Sequence, residues 1–594
     1  MDYFELRNQL AELSSTINVK GVEFLWMAPT QEDKGIFTTN VCFSLAKELK
    51  ESPAEMSKRL SKELNDKKDG FKALSTVEFA AEGPFINVYL SVEGIRQTLS
   101  ATQPSLTLPQ DDRKVMFEYI GANVAKRLHI GHMRNINIGE ALRRILLQKY
   151  PNLITDNHWG DWGVQFGVLL WAYKQQLNED AYAADPMSEL QRLYVWGNQQ
   201  ENELDNWAET VRSEFKKLED GDEENMQLWN KFLQVSKQEL QQDLKLLHVP
   251  ETDLEQGESY YEDWMDQLIE FCDEHELWVV DGQARYVDFE QLAEQWNSID
   301  EQTHKFVARQ GRAYFVSSQG YTTYVFRDVA ARLQWSVEHE IDLAVTLTDN
   351  RQQHNFNQAF SFISYLADQT EFKDRWGESA AQRLTLDRLR HVGYGYISLT
   401  SGALSSRTGN TLLLRDAFRA IVDSVKMEFE QRQLPYTDDK LEAISLAALK
   451  WKDLKTDRNT DITINPDEIV SFEGDTGVYQ LYTLVRLNGI LSNSDLIDEK
   501  IDPSQLNDSE RRLLERTVAL QGELEVVTQG YNPAQYVSAI GGLSRSINKW
   551  YEENRVADEP DPNRKATMLQ LVKSIRQTLA VSLELLGMPT VDEI

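Results

Sequence analysis

The sequence predicts an α/β fold with a parallel sheet at its centre, a smaller α+β unit before it and a helical region after it. Three observations predict this. The apolar runs KVMFEYI (114–120), IDLAVTLTD (341–349) and VGYGYISLT (392–400) alternate with helical stretches, the pattern of a parallel sheet covered on both faces. STVEFAAEGPFINVYLSV supplies two short strands around Glu82-Gly83-Pro84. From about Leu441 onward the spacing is almost wholly helical, ending in LQLVKSIRQTLAVSLELLGM. At 594 residues the chain is long enough for about three or four domains.

Taken in order, FTTNVCFSLAKELK and SPAEMSKRLSKELN carry helical spacing, and the second opens on Ser-Pro, a favoured helix start. The polar stretch TQPSLTLPQDDR, with two prolines, reads as the linker that closes the first unit. The strand at 114–120 is followed by the loop Gly121–Leu128 and then by the helix HIGHMRNINIGEALRRILLQK. Residues from about 170 to 310 interrupt the sheet with helical, Trp-rich segments. The strand at 341–349 leads into the helix FNQAFSFISYLA, and the run at 392–400 precedes the loop SGALSSRTGN.

Composition narrows the class. Hydrophobic residues make up 41% and charged residues 26%, and 14 Trp argue for large cores over disorder. Cys42 and Cys272 are too few for a disulfide scaffold or a four-thiolate zinc site. No apolar run approaches the ~20 residues that cross a bilayer, and the acidic, amphipathic start MDYFELRNQLAELSS resembles neither a secretory signal nor a transit peptide. A cytoplasmic, reducing compartment is expected, with no membrane partner. The net charge of −33 is unevenly spread. Residues 171–300 hold 9 basic and 32 acidic side chains, whereas 101–150 hold 8 basic and 4 acidic. The acidic insert reads as a solvated helical surface, or as a face whose charge keeps RNA and phosphates off.

EYIGANVAKRLHIGHMRN carries the most chemistry. His129 and His132 stand three apart at the mouth of a helix that follows a strand and loop, where free amides and a partial positive charge make an anion site. Two imidazoles there can donate to phosphate oxygens. Gly131 lets a flat ring or a ribose approach the backbone. The carboxyl ends of parallel strands are also where open α/β sheets bind ligands. A metal site is the weaker reading, because no further His or Cys cluster supports it.

At these residues the sequence resembles the class I aminoacyl-tRNA synthetases, and within them the arginyl-tRNA synthetases. NVAKRLHIGHMRN is similar to the extended HIGH signature. NHWGDWGVQFGVLL, YVFRDVAARL, DNRQQHNFNQAF, LKWKDLKTDRNTDITINPDEIVSFEGDTGVYQLY and LELLGMPTVDEI match further family segments in the family's order. The resemblance implies a Rossmann-like class I catalytic core at 112–455 with an acidic helical insertion at about 170–310, an N-terminal α+β domain at 1–108 that touches the tRNA elbow, and an all-α anticodon-binding bundle at 456–594. It implies ATP-dependent attachment of L-arginine to tRNA(Arg) through an arginyl-adenylate, with Mg2+ on the polyphosphate, by an enzyme that is usually a monomer. The alternative is a catalytically impaired relative that binds RNA or regulates.

By position in the family motifs, Glu118, Asn123, Tyr324, Asp328 and Gln352 are the arginine contacts. A guanidinium is planar, permanently charged and carries five N–H donors, so its recognition needs placed carboxylates and neutral acceptors. Which of Glu118 and Asp328 takes the side chain and which the α-ammonium is open. Both could instead pair with arginines in a buried network, Tyr324 could be a core residue, and Asn123 could cap a loop. His129, Gly131 and His132 are implied to meet ATP. The family's class carries a KMSKS loop; here the corresponding run is Ala403-Leu404-Ser405-Ser406-Arg407-Thr408-Gly409-Asn410, which has neither lysine. Lys126, just before the signature, is the implied substitute, and Arg407 is the other candidate.

Residues 461–594 hold 12 basic and 22 acidic side chains, so RNA contacts there rest on a few placed groups. Tyr479, Tyr482 and Arg486 match the family's tyrosine-rich helix and are the implied tRNA contacts. Leu481 and Leu484 stand where many members carry Gln and His. Trp550 and Tyr551, in NKWYEENRV, either meet RNA or pack the bundle.

Overall fold

The computed structural model describes residues 2–17, 22–29, 31, 33–101, 106–400, 412–492 and 501–594. Part of the expected linker, 102–105, and the whole loop SGALSSRTGN lie outside the described residues.

The chain opens with the helix Tyr3–Ser15, whose first amides donate to Asp2. β1 (Phe37–Thr39), β2 (Val77–Glu82) and β3 (Phe85–Leu90) form an antiparallel sheet in the order β1-β3-β2. Glu82 pairs with Phe85 across a two-residue turn in which Gly83 holds a φ of +59°. The helix expected over FTTNVCFSLAKELK begins only at Val41. Phe37–Thr39 is a strand instead, because Thr38 exchanges both backbone bonds with Met27 while the segment also pairs with β3. The helix Pro53–Lys67 starts at its Ser-Pro as expected. This unit closes on the helix Asp508–Gly530 near the other end of the chain. The Tyr3 amide donates to Gln521 Oε1 at 2.9 Å, the Leu90 amide donates to Glu515 Oε1 at 2.9 Å, and Arg7 pairs with Glu525. Burial pushes the Glu515 carboxyl up to about 7.

β4 (Val115–Glu118) and β5 (Leu153–Asp156) lie parallel, joined by the helix Ile130–Leu147. The insertion follows. Its helices include Glu223–Leu246, but it is not wholly helical. β6 (Val279–Asp281), β7 (Ala284–Asp288) and β8 (Arg312–Val316) form an antiparallel sheet across its end. The chain returns through the helix Tyr324–Val337 to β9 (Leu343–Asp349), then through the helix Gln353–Asp368 to β10 (Leu389–Tyr394). The parallel sheet has the order β10-β9-β4-β5. With β5 on one side of β4 and β9 on the other, the strand order reverses at β4. That reversal opens a crevice at the carboxyl ends of β4 and β9.

Alternation along the strands divides two cores. Val115, Phe117, Val345 and Leu347 belong to one apolar cluster, Met116 and Ala344 to the other. Both faces are buried, which is why these strands read as continuous apolar runs. The run at 392–400 is two strands. After β10 the chain turns at Gly395, where a Cβ would lie 2.8 Å from the Thr460 carbonyl carbon, and β11 (Ile397–Leu399) pairs in parallel with β12 (Ile462–Ile464). The region from 456, expected to be all helical, therefore contributes one strand before its helices Gly477–Ser492, Asp508–Gly530, Ala534–Glu553 and Pro562–Leu585.

A fully buried ion pair ties this junction together. Arg134 Nε donates to Asp453 Oδ1 at 3.1 Å, and Arg134 Nη1 donates to the Gly395 and Tyr396 carbonyls at 2.6 and 3.1 Å. Arg134→Met leaves the Asp453 carboxylate without its cation and is expected to cost about 3–5 kcal/mol. Melting in chemical denaturant would check this, and the double change Arg134→Met with Asp453→Leu is expected to regain much of the loss. A single variant as stable as the parent would show that the pair contributes nothing.

Candidate functional site

The site grows from the end of β4 and the helix after it. His129 caps the helix Ile130–Leu147: the Gly131 amide donates to His129 Nδ1 at 3.0 Å, and the His129 amide donates to His132 Nδ1 at 3.1 Å. This reciprocal cap uses two histidines where a Ser or Thr and a Glu or Gln would be usual. Burial pushes the His132 ring down to about 3, helped by His129 and Lys126, and burial beside Arg351 lowers His129 as well. A neutral ring that accepts at Nδ1 must carry its proton on Nε2. Each histidine thus keeps one N–H donor outside the cap. Gly131 is required first by this cap, because a Cβ there would lie 2.8 Å from the His129 ring. Its openness to a ligand comes second.

A cavity of about 470 Å³ opens at these rings. It brings together Glu118, Asn123, His129, Gly131, His132, Tyr324, Asp328 and Gln352, which the sequence had scattered over more than two hundred positions. Glu118 ends β4 and Asp328 lies one turn into the helix Tyr324–Val337. They meet at a side chain that sequence reasoning missed. Arg332 Nη2 donates to Glu118 Oε2 at 2.9 Å and Arg332 Nη1 donates to Asp328 Oδ1 at 3.3 Å. The buried arginine network posed as the alternative role of these carboxylates is therefore present, and the same carboxylates also line the cavity. One guanidinium between two carboxylates leaves a deficit of one positive charge. Thr346 Oγ1 donates to the same Glu118 oxygen as Arg332, so neither bond uses Oε1. Burial pushes Asp328 up to about 7, against the pull of Arg332.

Tyr324 is 58% exposed, so it is no core residue, and the Arg327 guanidinium lies 5.4 Å from its ring centre. Asn123 is exposed, with its Oδ1 where a Cβ on Gly160 would come within 2.3 Å. Gln352 closes the short turn after β9. Three further groups were not foreseen. Arg327 Nη1 pairs with Glu258 Oε2 at 2.8 Å, and burial pushes Glu258 up to about 7. His158, held down at about 4 by burial, stacks on Tyr261 at 5.3 Å. Arg351, on the rim, is held to Asp349 at 2.7 Å. Arg332 alone had a readable signal: it stands four residues after Asp328, on the same helix face.

Lys126 does not line this cavity. It is exposed, with its Nζ 5.2 Å from the Tyr194 ring centre. Arg407 lies outside the described residues. In the C-terminal bundle, Arg486 is sandwiched between Tyr482 and Tyr551, 4.7 and 4.5 Å from their ring centres, and donates to Asn548 Oδ1 at 2.5 Å. Tyr479 is half-buried on the same helix. Trp550 is buried and donates to Glu510, so of the pair in NKWYEENRV only Tyr551 faces outward.

Two solved structures share this fold over the whole chain. An arginyl-tRNA synthetase of Thermus thermophilus is 21% identical, with 100% of each chain covered and a TM-score of 0.76. One of Plasmodium falciparum is 20% identical, covering 100% of this chain and 98% of that one, with a TM-score of 0.74. The chain combines a parallel sheet split by an insertion with a histidine-capped helix over its carboxyl end, and the match of its catalytic region shows the class, that of the class I aminoacyl-tRNA synthetases. Residues 95–465 match the family model described as "tRNA synthetases class I (R), catalytic domain". Residues 5–90 match "Arginyl tRNA synthetase N terminal domain" and 480–594 match "DALR anticodon binding domain". Curated proteins named arginine–tRNA ligase resemble the chain over the full length of both partners: 28% identical over 604 residues in Clostridium botulinum strain Okra, and 27% over 608 residues in Clostridium perfringens strain 13. The chain belongs to the arginyl-tRNA synthetase family.

Proposed function

We infer that this chain joins L-arginine to tRNA(Arg) in an ATP-dependent reaction that passes through arginyl-adenylate. One observation carries the substrate assignment: Glu118 and Asp328 share the single cation of Arg332, in a cavity that two neutral imidazole donors also line. The deficit of one positive charge suits an arginine cation, and the donors suit a polyphosphate. Asn123, Tyr324 and Gln352 complete the recognition of arginine. A pocket built on hydrogen bonds to its ligand rejects analogues that lack them by roughly 10⁴–10⁵.

The arginine carboxylate attacks the α-phosphorus of ATP, and pyrophosphate leaves. His129 and His132 donate from Nε2 to phosphate oxygens and stabilise the charge that develops there. Lys126, with Arg407 as the second candidate, neutralises the departing pyrophosphate. Magnesium arrives on the polyphosphate as part of the substrate, and it further neutralises that charge. The terminal ribose 2′-hydroxyl of the tRNA then attacks the adenylate carbonyl, and AMP leaves. Tyr479, Tyr482 and Arg486, with Tyr551 beside them, offer stacking surfaces and a cation to the bases of an anticodon loop.

The direct test is tRNA-dependent ATP–pyrophosphate exchange with each amino acid in turn, where arginine alone is expected to support exchange. Exchange with a different amino acid, or none with any, would overturn the assignment. The electrostatics add a pH prediction. Asp328 sits near 7 in the empty pocket, and a bound cation favours its ionised form, so arginine binding should release protons and tighten as pH rises. From pH 6 to 8 the dissociation constant for arginine is expected to fall about tenfold, the change in ionised fraction of a group titrating at 7. Calorimetry in buffers of different ionisation enthalpy reads both effects, and a flat profile would contradict them.

A further inference from the structure

The insertion reaches back to the loop that carries Lys126. Two non-glycine residues there hold left-handed backbone: Ile120, just before the loop, has a φ of +79° and Ala125, within it, a φ of +57°. Non-glycine residues keep such angles only where the surroundings impose them. Ile120 is held from the catalytic core, its amide donating to Asn135 Oδ1 at 2.7 Å. Ala125 is held by the insertion. Its amide donates to Ser236 Oγ at 2.9 Å, on the helix Glu223–Leu246, and the Ser236 hydroxyl, itself buried, donates to the Phe232 carbonyl at 2.8 Å.

The residue after Lys126 is anchored to the same insertion. Arg127 Nε donates to Glu239 Oε1 at 3.0 Å, and Arg127 Nη2 donates to Asp185 at 2.8 Å. Glu239 also takes Arg415 Nη1 at 3.2 Å. Arg415 starts the helix Leu414–Arg432, whose approach runs alongside the signature: the Ile130 amide donates to the Leu412 carbonyl, and the Leu414 amide donates to the Leu128 carbonyl, both at 3.0 Å. One carboxylate of the insertion thus pins the segments on either side of the phosphate end of the cavity. Lys126 itself points its ammonium at Tyr194, also of the insertion.

We propose that the acidic insertion is the positioning device for Lys126: Ser236 fixes the backbone of the residue before it, Glu239 holds the side chain of the residue after it, and Tyr194 holds its ammonium until a triphosphate draws it in. The proposal rests on the reading of Lys126 as a phosphate-neutralising cation. It also gives two of the insertion's acidic residues, Glu239 and Asp185, a task at the catalytic centre.

The test is a double-mutant cycle of Ser236→Ala with Lys126→Ala, read by tRNA-dependent ATP–pyrophosphate exchange. Ser236→Ala is expected to lower kcat about 10- to 100-fold, the cost of a small misplacement, with the KM for arginine unchanged. In the Lys126→Ala background the same change is expected to cost nothing further, because residues acting as a unit are non-additive. An equal loss in both backgrounds would mark Ser236 as merely structural and overturn the proposal, and so would a normal rate for Ser236→Ala beside a slow Lys126→Ala. A normal rate for Lys126→Ala would remove the underlying reading and the proposal with it. Should Ser236→Ala fail to fold, Tyr194→Leu enters the same cycle, with the same non-additivity expected.

Discussion

Asp328→Asn is expected to raise the arginine concentration needed for half-maximal exchange by about 10²–10³, while the corresponding value for ATP stays within a factor of a few. The change is isosteric, so packing in the helix Tyr324–Val337 is kept. What changes is charge. With Asp328 ionised, as a bound cation favours, Glu118, Asp328 and Arg332 together carry one negative charge; with asparagine in its place they carry none, and an incoming cation finds no deficit to fill. Removing one member of a desolvated charge pair costs about 2–5 kcal/mol, which spans that range of affinity. The amide still accepts a bond from Arg332, so Arg332 does not swing into the space left for substrate. Steady-state exchange with arginine and ATP varied separately distinguishes the cases. Equal losses for both substrates in a folded variant would remove Asp328 from the arginine pocket.

His132→Gln is expected to slow adenylate formation by about 10²–10³ with little change in stability. Glutamine at the third helical position is a normal partner in a reciprocal cap, so the His129 amide keeps an acceptor. The rigid ring N–H is exchanged for an amide N–H on a flexible chain, and losing a fixed, preorganised donor to developing charge costs that factor in related oxyanion sites. The substitution therefore separates capping from chemistry at one position. With His132 held near 3, its protonation also contributes no inflection to the rate between pH 5 and 8. A wild-type rate for the variant would reduce His132 to a helix cap. A bell-shaped profile that vanished with it would make it an acid or base, contrary to its fixed neutral tautomer.

The sequence revealed those parts of this molecule whose signals are local. The Ser-Pro at 52–53, the hairpin glycine at 83, the doubly buried run at 343–349 and the histidine-capped helix each announce themselves within a few residues, because propensity, patterning and capping act at that range. What stayed hidden is set by partners far along the chain. β5 is four residues, Leu-Ile-Thr-Asp, and becomes a strand only through its pairing with β4. The split of 392–400 depends on Thr460 crowding Gly395, and the sheet β6–β8 depends on pairing between segments separated by two helices. At the site, the family motifs brought eight residues to one cavity, but the charge balance of Glu118 and Asp328 is not visible without Arg332. The stack of Arg486 between Tyr482 and Tyr551 likewise joins two helices more than sixty positions apart.

The closure of the first unit onto the helix Asp508–Gly530 has a consequence for how the enzyme can be cut. Its beginning and its end guard each other: Gln521, Glu515 and Glu525 spend their side chains on the opening ninety residues. Deleting that leading segment would uncover an apolar flank of the bundle, so a shortened catalytic fragment would inherit a sticky surface. The appended unit is a lid on the bundle, and engineering that treats it as detachable would have to rebuild the face it leaves behind.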